Sequence, residues 1–172
     1  MKLQKVLNLF NVAIYIRLSR EDGDKEESDS VGNQRKLLTE YVAKKDDFIL
    51  YDVYVDDGYS GTNFNRPSFQ RMIADIEDGK VNCVVVKDLS RFGRDYIDTG
   101  RYLERYFPEL GVRFISVTDS IDSMKQAYDM LLPIKNIFNE QYARDISKKI
   151  QATVKSKQKA GEFMGGVYKL WL

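Results

Sequence analysis

The chain contains no histidine among its 172 residues. That absence removes imidazole-based hydrolytic triads, histidine-ligated zinc enzymes and nucleases, and tyrosine recombinases that depend on a catalytic histidine. Cysteine occurs once, at Cys83, which excludes an internal disulfide and any metal site built from several thiolates. No apolar run approaches the roughly 20 residues that span a bilayer. The opening, MKLQKVLNLF, is too short and too interrupted for a signal peptide. The expected location is therefore the cytoplasm, with no membrane partner. Chemistry falls to hydroxyls, carboxylates, lysines and arginines, and the expectation is no cofactor and no metal. An apolar share of 43% and a charged share of 31% suit one globular domain. A chain of this length buries roughly 70% of its unfolded surface, enough for a real core.

Charge is balanced overall, at +1, but not along the chain. Residues 20–29 hold six acids and two bases, whereas residues 135–159 hold seven bases and two acids. Runs rich in β-branched and aromatic residues alternate with helical patterns. Strands are expected at Val12–Leu18, Ile49–Val55, Val81–Lys87 and Val112–Val117, and helices at about Val31–Lys45, Ser68–Asp78 and Tyr96–Leu110. The second helix starts behind Arg66-Pro67 and stops at Gly79, residues suited to those ends. Repeated βα units predict an α/β fold, a mainly parallel sheet of about four to five strands flanked by helices. Beyond Val117 a short helix over about Ser123–Leu132 meets Pro133, and a long C-terminal helix runs on to about Lys159. Its apolar residues Ile134, Phe138, Tyr142, Ile146, Ile150 and Val154 recur every fourth position, so the stripe rotates by about 40° per step. Such a helix meets its own domain first and something else later. Its basic second half, with Lys148, Lys149, Lys155, Lys157 and Lys159, suits a partner better than solvent alone.

In open parallel sheets, ligands lie beyond the carboxyl ends of the strands. In NVAIYIRLSRED, Val12, Ile14, Ile16 and Leu18 share one face, and Tyr15, Arg17 and Ser19 the other. Arg17 is out of place in a strand covered on both sides, and Ser19 sits where the strand ends, roughly 6.6 Å away. The second strand runs into VDDGYSGTNFNRPSF, a glycine-framed turn holding Ser60, with Arg66 at a helix mouth where an anion is favoured. The third runs into VVVKDLSRFGRDY, with Arg91 and Arg94 three apart, on one side if the stretch is helical. Three strand ends thus offer one hydroxyl, Ser19, with four guanidiniums, Arg17, Arg66, Arg91 and Arg94. Any one of these arginines reads equally well as surface charge. Guanidiniums fork onto phosphate oxygens, and a converging set points to a phosphoryl centre run by positioning and charge neutralisation.

Taken together, Tyr15-x-Arg17-x-Ser19, Ser30…Asn33-Gln34, Asp57-Gly58-Tyr59-Ser60-Gly61 with Arg66-Pro67, and Ser90-Arg91-Phe92-Gly93-Arg94-Asp95 resemble the catalytic domain of the serine recombinases, the resolvase/invertase family. The resemblance runs over about residues 11–160, and DLSRFGRDY and NEQYARDISKKI look most like the large members from conjugative transposons and phages. It implies that Ser19 attacks a DNA phosphodiester, giving a 5′-phosphoserine link and a free 3′-hydroxyl. Arg17, Arg91 and Arg94 would neutralise the phosphate, with Arg66 and Ser60 positioning them, and Tyr15, Gln34 and Asp57 supporting the site. The long helix would be a dimerisation helix whose basic end runs over the DNA minor groove. The implied partners are DNA at a recombination site, a homodimer and a synaptic homotetramer that exchanges and religates strands without ATP or metal; the lack of a P-loop agrees. Two departures stand out. Ser90 occupies a position where many members carry aspartate, which leaves the general acid unassigned, and large members continue into DNA-binding domains after the long helix. The expected organisation is a catalytic domain at 1–132, a dimerisation and DNA-contacting helix at 133–164 and a short tail at 165–172, a catalytic fragment with the downstream domains absent.

Two other readings stay open. Asp56 and Asp57 at one strand end, with Lys87 at the next, resemble a receiver-like phosphoacceptor site that needs magnesium. That reading leaves the arginines without work, and Asp88, Asp119 and Asp122 serve as well as turn residues or caps. Alternatively the fold is kept without chemistry, as a non-catalytic dimerising, DNA-associated module.

Overall fold

The computed structural model describes residues 9–18, 31–61, 63–125 and 131–161. Five strands, β1 (Phe10–Leu18), β2 (Phe48–Asp57), β3 (Cys83–Val86), β4 (Arg113–Ser116) and β5 (Ile121–Asp122), form one sheet in the order β2-β1-β3-β4-β5. The first four pair in parallel, and β5 runs antiparallel to β4. The mainly parallel α/β architecture expected from the sequence is the one that forms. Helices α1 (Val31–Ala43), α2 (Pro67–Glu77), α3 (Leu89–Phe92), α4 (Tyr96–Arg101), α5 (Phe107–Glu109) and α6 (Leu131–Lys159) accompany it.

Both faces of β1 are buried, which explains its near-continuous apolar run. On one face Val12, Ile14 and Ile16 pack with Cys83, Val85 and Ile115 of the neighbouring strands and with Leu38 and Val42 of α1. Each such aliphatic side chain contributes about 1.5–3 kcal/mol by leaving water. Burial pushes the Cys83 thiol up to about 12, so it is packing material and not a nucleophile. Along β2 the register with β1 slips between Val12 and Ala13, whose partners are Leu50 and Asp52, leaving Tyr51 as the extra residue of a bulge.

Three expectations need correction. The stretch expected as one helix from Tyr96 to Leu110 contains a π turn over Tyr102–Tyr106 between α4 and α5. Pro108 supplies the reason: it has no N–H to donate and would press on the carbonyl four residues back, and a wider turn accommodates it. The short helix expected over Ser123–Leu132 does not begin at Ser123. Residues 121–122 are β5 and 123–125 a turn, while 126–130 lie outside the described residues. The long helix was expected to begin at Pro133, but among the described residues it already includes Leu131 and Leu132 ahead of that proline.

The chain divides into two units, Met1–Lys135 and Asn136–Leu172, with the division inside α6. Taken by itself, the second unit's helix exposes Ile146, Ile150 and its lysines. The side chains of Ile134, Phe138 and Tyr142 lie outside the described residues. Among the described residues, no helix is long and apolar enough to cross a membrane.

Candidate active site

Arg17 is the last inward-facing residue of β1 and is fully buried. Its Nη1 donates to the carbonyl of Tyr59 at 3.0 Å and its Nη2 to the carbonyl of Ser90 at 2.7 Å. Those carbonyls belong to the loop after β2 and to α3, so one guanidinium ties three strand ends together. Gly61 lies against it: a Cβ there would stand 3.1 Å from Arg17 Cζ and 2.8 Å from Arg94 Cγ. No other residue fits without moving a neighbour. The Arg94 amide donates to the Gly61 carbonyl at 2.7 Å, which holds this loop across both arginines.

Arg66 is handled differently. It is 1% exposed, its Nη1 donates to the Tyr15 hydroxyl at 2.8 Å, and its Nη2 donates to the Phe92 carbonyl at 2.7 Å. Its Cζ stands 5.4 Å from the Tyr15 ring, 4.8 Å from Phe64 and 4.9 Å from Phe69, an aromatic cage for a buried cation. Burial pulls its pKa below the ordinary arginine value, partly offset by Tyr15 and Asp56. Tyr15 in turn donates to Asp56 Oδ2 at 2.8 Å. Burial raises the Tyr15 hydroxyl far above its usual range, so it stays protonated and keeps that bond. Asp56 also accepts from the amides of Ser68 and Phe69, each at 3.0 Å. The start of α2, expected to favour an outside anion, is thus occupied by the chain's own carboxylate. Arg66 is a strut within the protein, with both amino groups turned inward.

The third strand end is organised by two more carboxylates. Asp88 caps α3 by accepting from the Arg91 amide at 3.2 Å, and its other oxygen lies 3.8 Å from Arg91 Nε. Ser90 Oγ also donates to Asp88. Asp119, from the turn after β4, accepts from the Leu89 amide and from Ser116 Oγ, both at 2.6 Å. Burial pushes the Asp119 carboxyl up despite these bonds. Helix α3 ends at Phe92, and Gly93 is extended. Arg94 therefore does not share a helical turn with Arg91, contrary to the helical spacing; it joins the site through Gly61 instead.

Residues 12–163 match the family model described as "Resolvase, N terminal domain". The chain belongs to the resolvase family of serine recombinases. It is 33% identical to the N-terminal catalytic domain of TP901-1 integrase, covering 79% of this chain and 98% of that one, with a TM-score of 0.62. It is 30% identical to a resolvase family site-specific recombinase from Streptococcus pneumoniae, covering 89% and 99% of the two chains, with a TM-score of 0.57. A 36% identity over 69 residues, 40% of this chain and 82% of the other, links it to the uncharacterized immunity region protein 3 of Bacillus phage phi105.

Within this serine recombinase domain Asp56, one of the two carboxylates of the receiver-like reading, is buried and already accepts three hydrogen bonds, which leaves Asp57 alone at that strand end. Ser19 lies outside the described residues, as does Ser30. Gln34 is buried on α1, whereas Asp57 and Ser60 are exposed at the end of β2 and in the loop beyond it. Lys148, Lys149, Lys155, Lys157 and Lys159 are all exposed on α6. At about 100° per residue, Lys148, Lys155 and Lys159 fall within about 40° of arc, opposite Ile146, Ile150 and Val154. Two organising residues were not expected in this role: Asp56 entered only the receiver-like reading, although period-two alternation sets it on the face of the buried Tyr54. Asp119 was read as a turn residue or cap, and it lies in the turn after β4 and accepts from the Leu89 amide.

Proposed function

We propose that this recombinase domain breaks and rejoins DNA by transesterification at Ser19. The Ser19 hydroxyl attacks a phosphodiester; its oxygen bonds to phosphorus as the bond to the 3′-oxygen breaks. The serine gives up one proton to solvent and the departing 3′-oxygen takes one up. The 5′-phosphate stays on the serine, and attack by another 3′-hydroxyl reverses the step. One phosphoester replaces another throughout, so neither ATP nor a metal enters the balance. Arg17, Arg91 and Arg94 neutralise the phosphate, and Arg66 acts through Tyr15 and the loop framework. In the arrangement described above, the Tyr59 carbonyl and Gly61 cover Arg17; a phosphate oxygen takes the carbonyl's place when DNA binds. Ser60, Gln34 and Asp57 support the site. The catalytic domain spans residues 1–132 and the helix over 133–164 serves dimerisation, its lysine face lying along the DNA and two dimers synapsing as a tetramer.

The observation that carries this reading is the fixing of the Arg17 guanidinium by carbonyls from two other strand ends, two residues before the only hydroxyl of that strand's end. To test it, the protein is incubated with DNA carrying its recombination site in EDTA, and a protein–DNA adduct that survives denaturant is sought. The adduct is expected without metal and is absent in Ser19→Ala of unchanged melting temperature. A metal requirement, or an adduct in Ser19→Ala, overturns the proposal.

A further inference from the structure

Next to Phe64 of the Arg66 cage, α2, α4 and the π turn flank an open cavity of about 420 Å³, within the size range of small-ligand sites. Phe64, Ile73 and Tyr102 give it apolar and aromatic walls, and Glu77, Asp98 and Tyr106 supply polar groups. The Tyr106 hydroxyl donates to Glu77, bridging the π turn and the end of α2. Burial and that bond push the Tyr106 phenol up to about 12, so it remains a neutral donor and holds the Glu77 side chain in place. Arg101, the one cation of the lining, pairs with Asp98 at 3.5 Å through a largely exposed side chain. Such a pair is weak and readily exchanged. Two carboxylates against one guanidinium repel phosphate, so the cavity is not a second DNA contact. π turns of this kind are frequent at functional sites.

We infer that this cavity binds an organic cation, an alkylammonium or alkylguanidinium group. Its apolar stem lies against Ile73, its charge meets Glu77 and Asp98, and the faces of Phe64 and Tyr102 add cation–π attraction. The site is connected to the arginine framework: Phe64 lies 4.8 Å from the Tyr102 ring and 4.8 Å from Arg66 Cζ. An occupant therefore presses on the same ring that cages Arg66.

The test uses the whole chain without DNA, so its outcome is independent of the chemistry proposed for Ser19. Calorimetric titrations with agmatine, spermidine and acetyl-arginine amide are compared with acetyl-glutamate as the anionic control. Saturable one-to-one binding of a cation is expected, weakened at least about 10-fold in Glu77→Gln/Asp98→Asn, a near-isosteric pair whose fold is verified by thermal melting. Preference for acetyl-arginine amide identifies a protein side chain as the source, and preference for agmatine or spermidine a free amine. No saturable binding, equal binding of acetyl-glutamate, or unchanged affinity in the folded double variant overturns the inference.

Discussion

Replacing Arg66 by alanine tests the claim that this arginine holds the fold together and does not itself reach the DNA. The substitution leaves the Phe92 carbonyl and one lone pair of the Tyr15 hydroxyl without their donors inside the protein. A buried polar group left unmet costs about 1–3 kcal/mol. Attraction to the Tyr15, Phe64 and Phe69 rings is lost as well, about 2 kcal/mol for a desolvated cation. Removing a buried cation recovers part of this, because burial already disfavours the charge. The net expectation is a loss of about 3 kcal/mol, at the lower edge of the range for breaking a buried charged contact. Against the 5–15 kcal/mol typical of a domain, the variant stays folded at 25 °C. Arg66→Lys retains charge but cannot span both acceptors, and a loss of about 2 kcal/mol is expected. Urea denaturation at constant m reads both values. A loss below about 1 kcal/mol in Arg66→Ala refutes the strut and returns Arg66 to direct phosphate contact.

Three further outcomes follow from the same geometry. Gly61→Ala forces a methyl group against Arg17 and Arg94 and is expected to cost about 1–3 kcal/mol of overpacking, read from the urea midpoint; no shift means the loop does not cover Arg17 in solution. Arg113 pairs with Asp122 at 3.0 and 2.7 Å; burial raises the Asp122 carboxyl, but Arg113, with smaller help from the Met124 amide and Lys125, holds it below the ordinary 3.8. That stabilisation is present above 3.8 and lost as pH falls through the lower folded value, so Arg113→Ala is expected to cost about 3 kcal/mol at pH 7 with a gap that narrows below pH 3.8, whereas a gap independent of pH contradicts the pairing. Arg17→Ala or Arg91→Ala is expected to slow DNA cleavage by at least about 100-fold, the scale of removing a preorganised charge stabiliser, and near-normal single-turnover rates in both remove these arginines from the chemistry.

How much of this was legible beforehand depends on where the governing interaction lies in the chain. Strands β1 to β4 announced themselves through β-branched runs, and Arg17 through its conflict with a strand buried on both faces. The destination of Arg66 was not legible, because the two groups that accept its hydrogen bonds, the Tyr15 hydroxyl and the Phe92 carbonyl, come from distant segments, even though Phe64 and Phe69 are its near neighbours in the chain. How Arg94 joins the site was not legible, because Gly93 ends the helix on which its spacing to Arg91 depended. β5, two residues long, is too short to show alternation. Asp119 acts across 30 residues on the Leu89 amide, a contact that only tertiary structure creates.

The most direct measurement is peptide mapping of the denatured protein–DNA adduct by mass spectrometry, with a polymerase extension assay on the released strand. A nucleotide 5′-phosphate esterified to Ser19 is expected, with a partner end whose 3′-hydroxyl primes extension. A phosphate carried by any other side chain, or a blocked 3′ end, contradicts the chemistry proposed for Ser19.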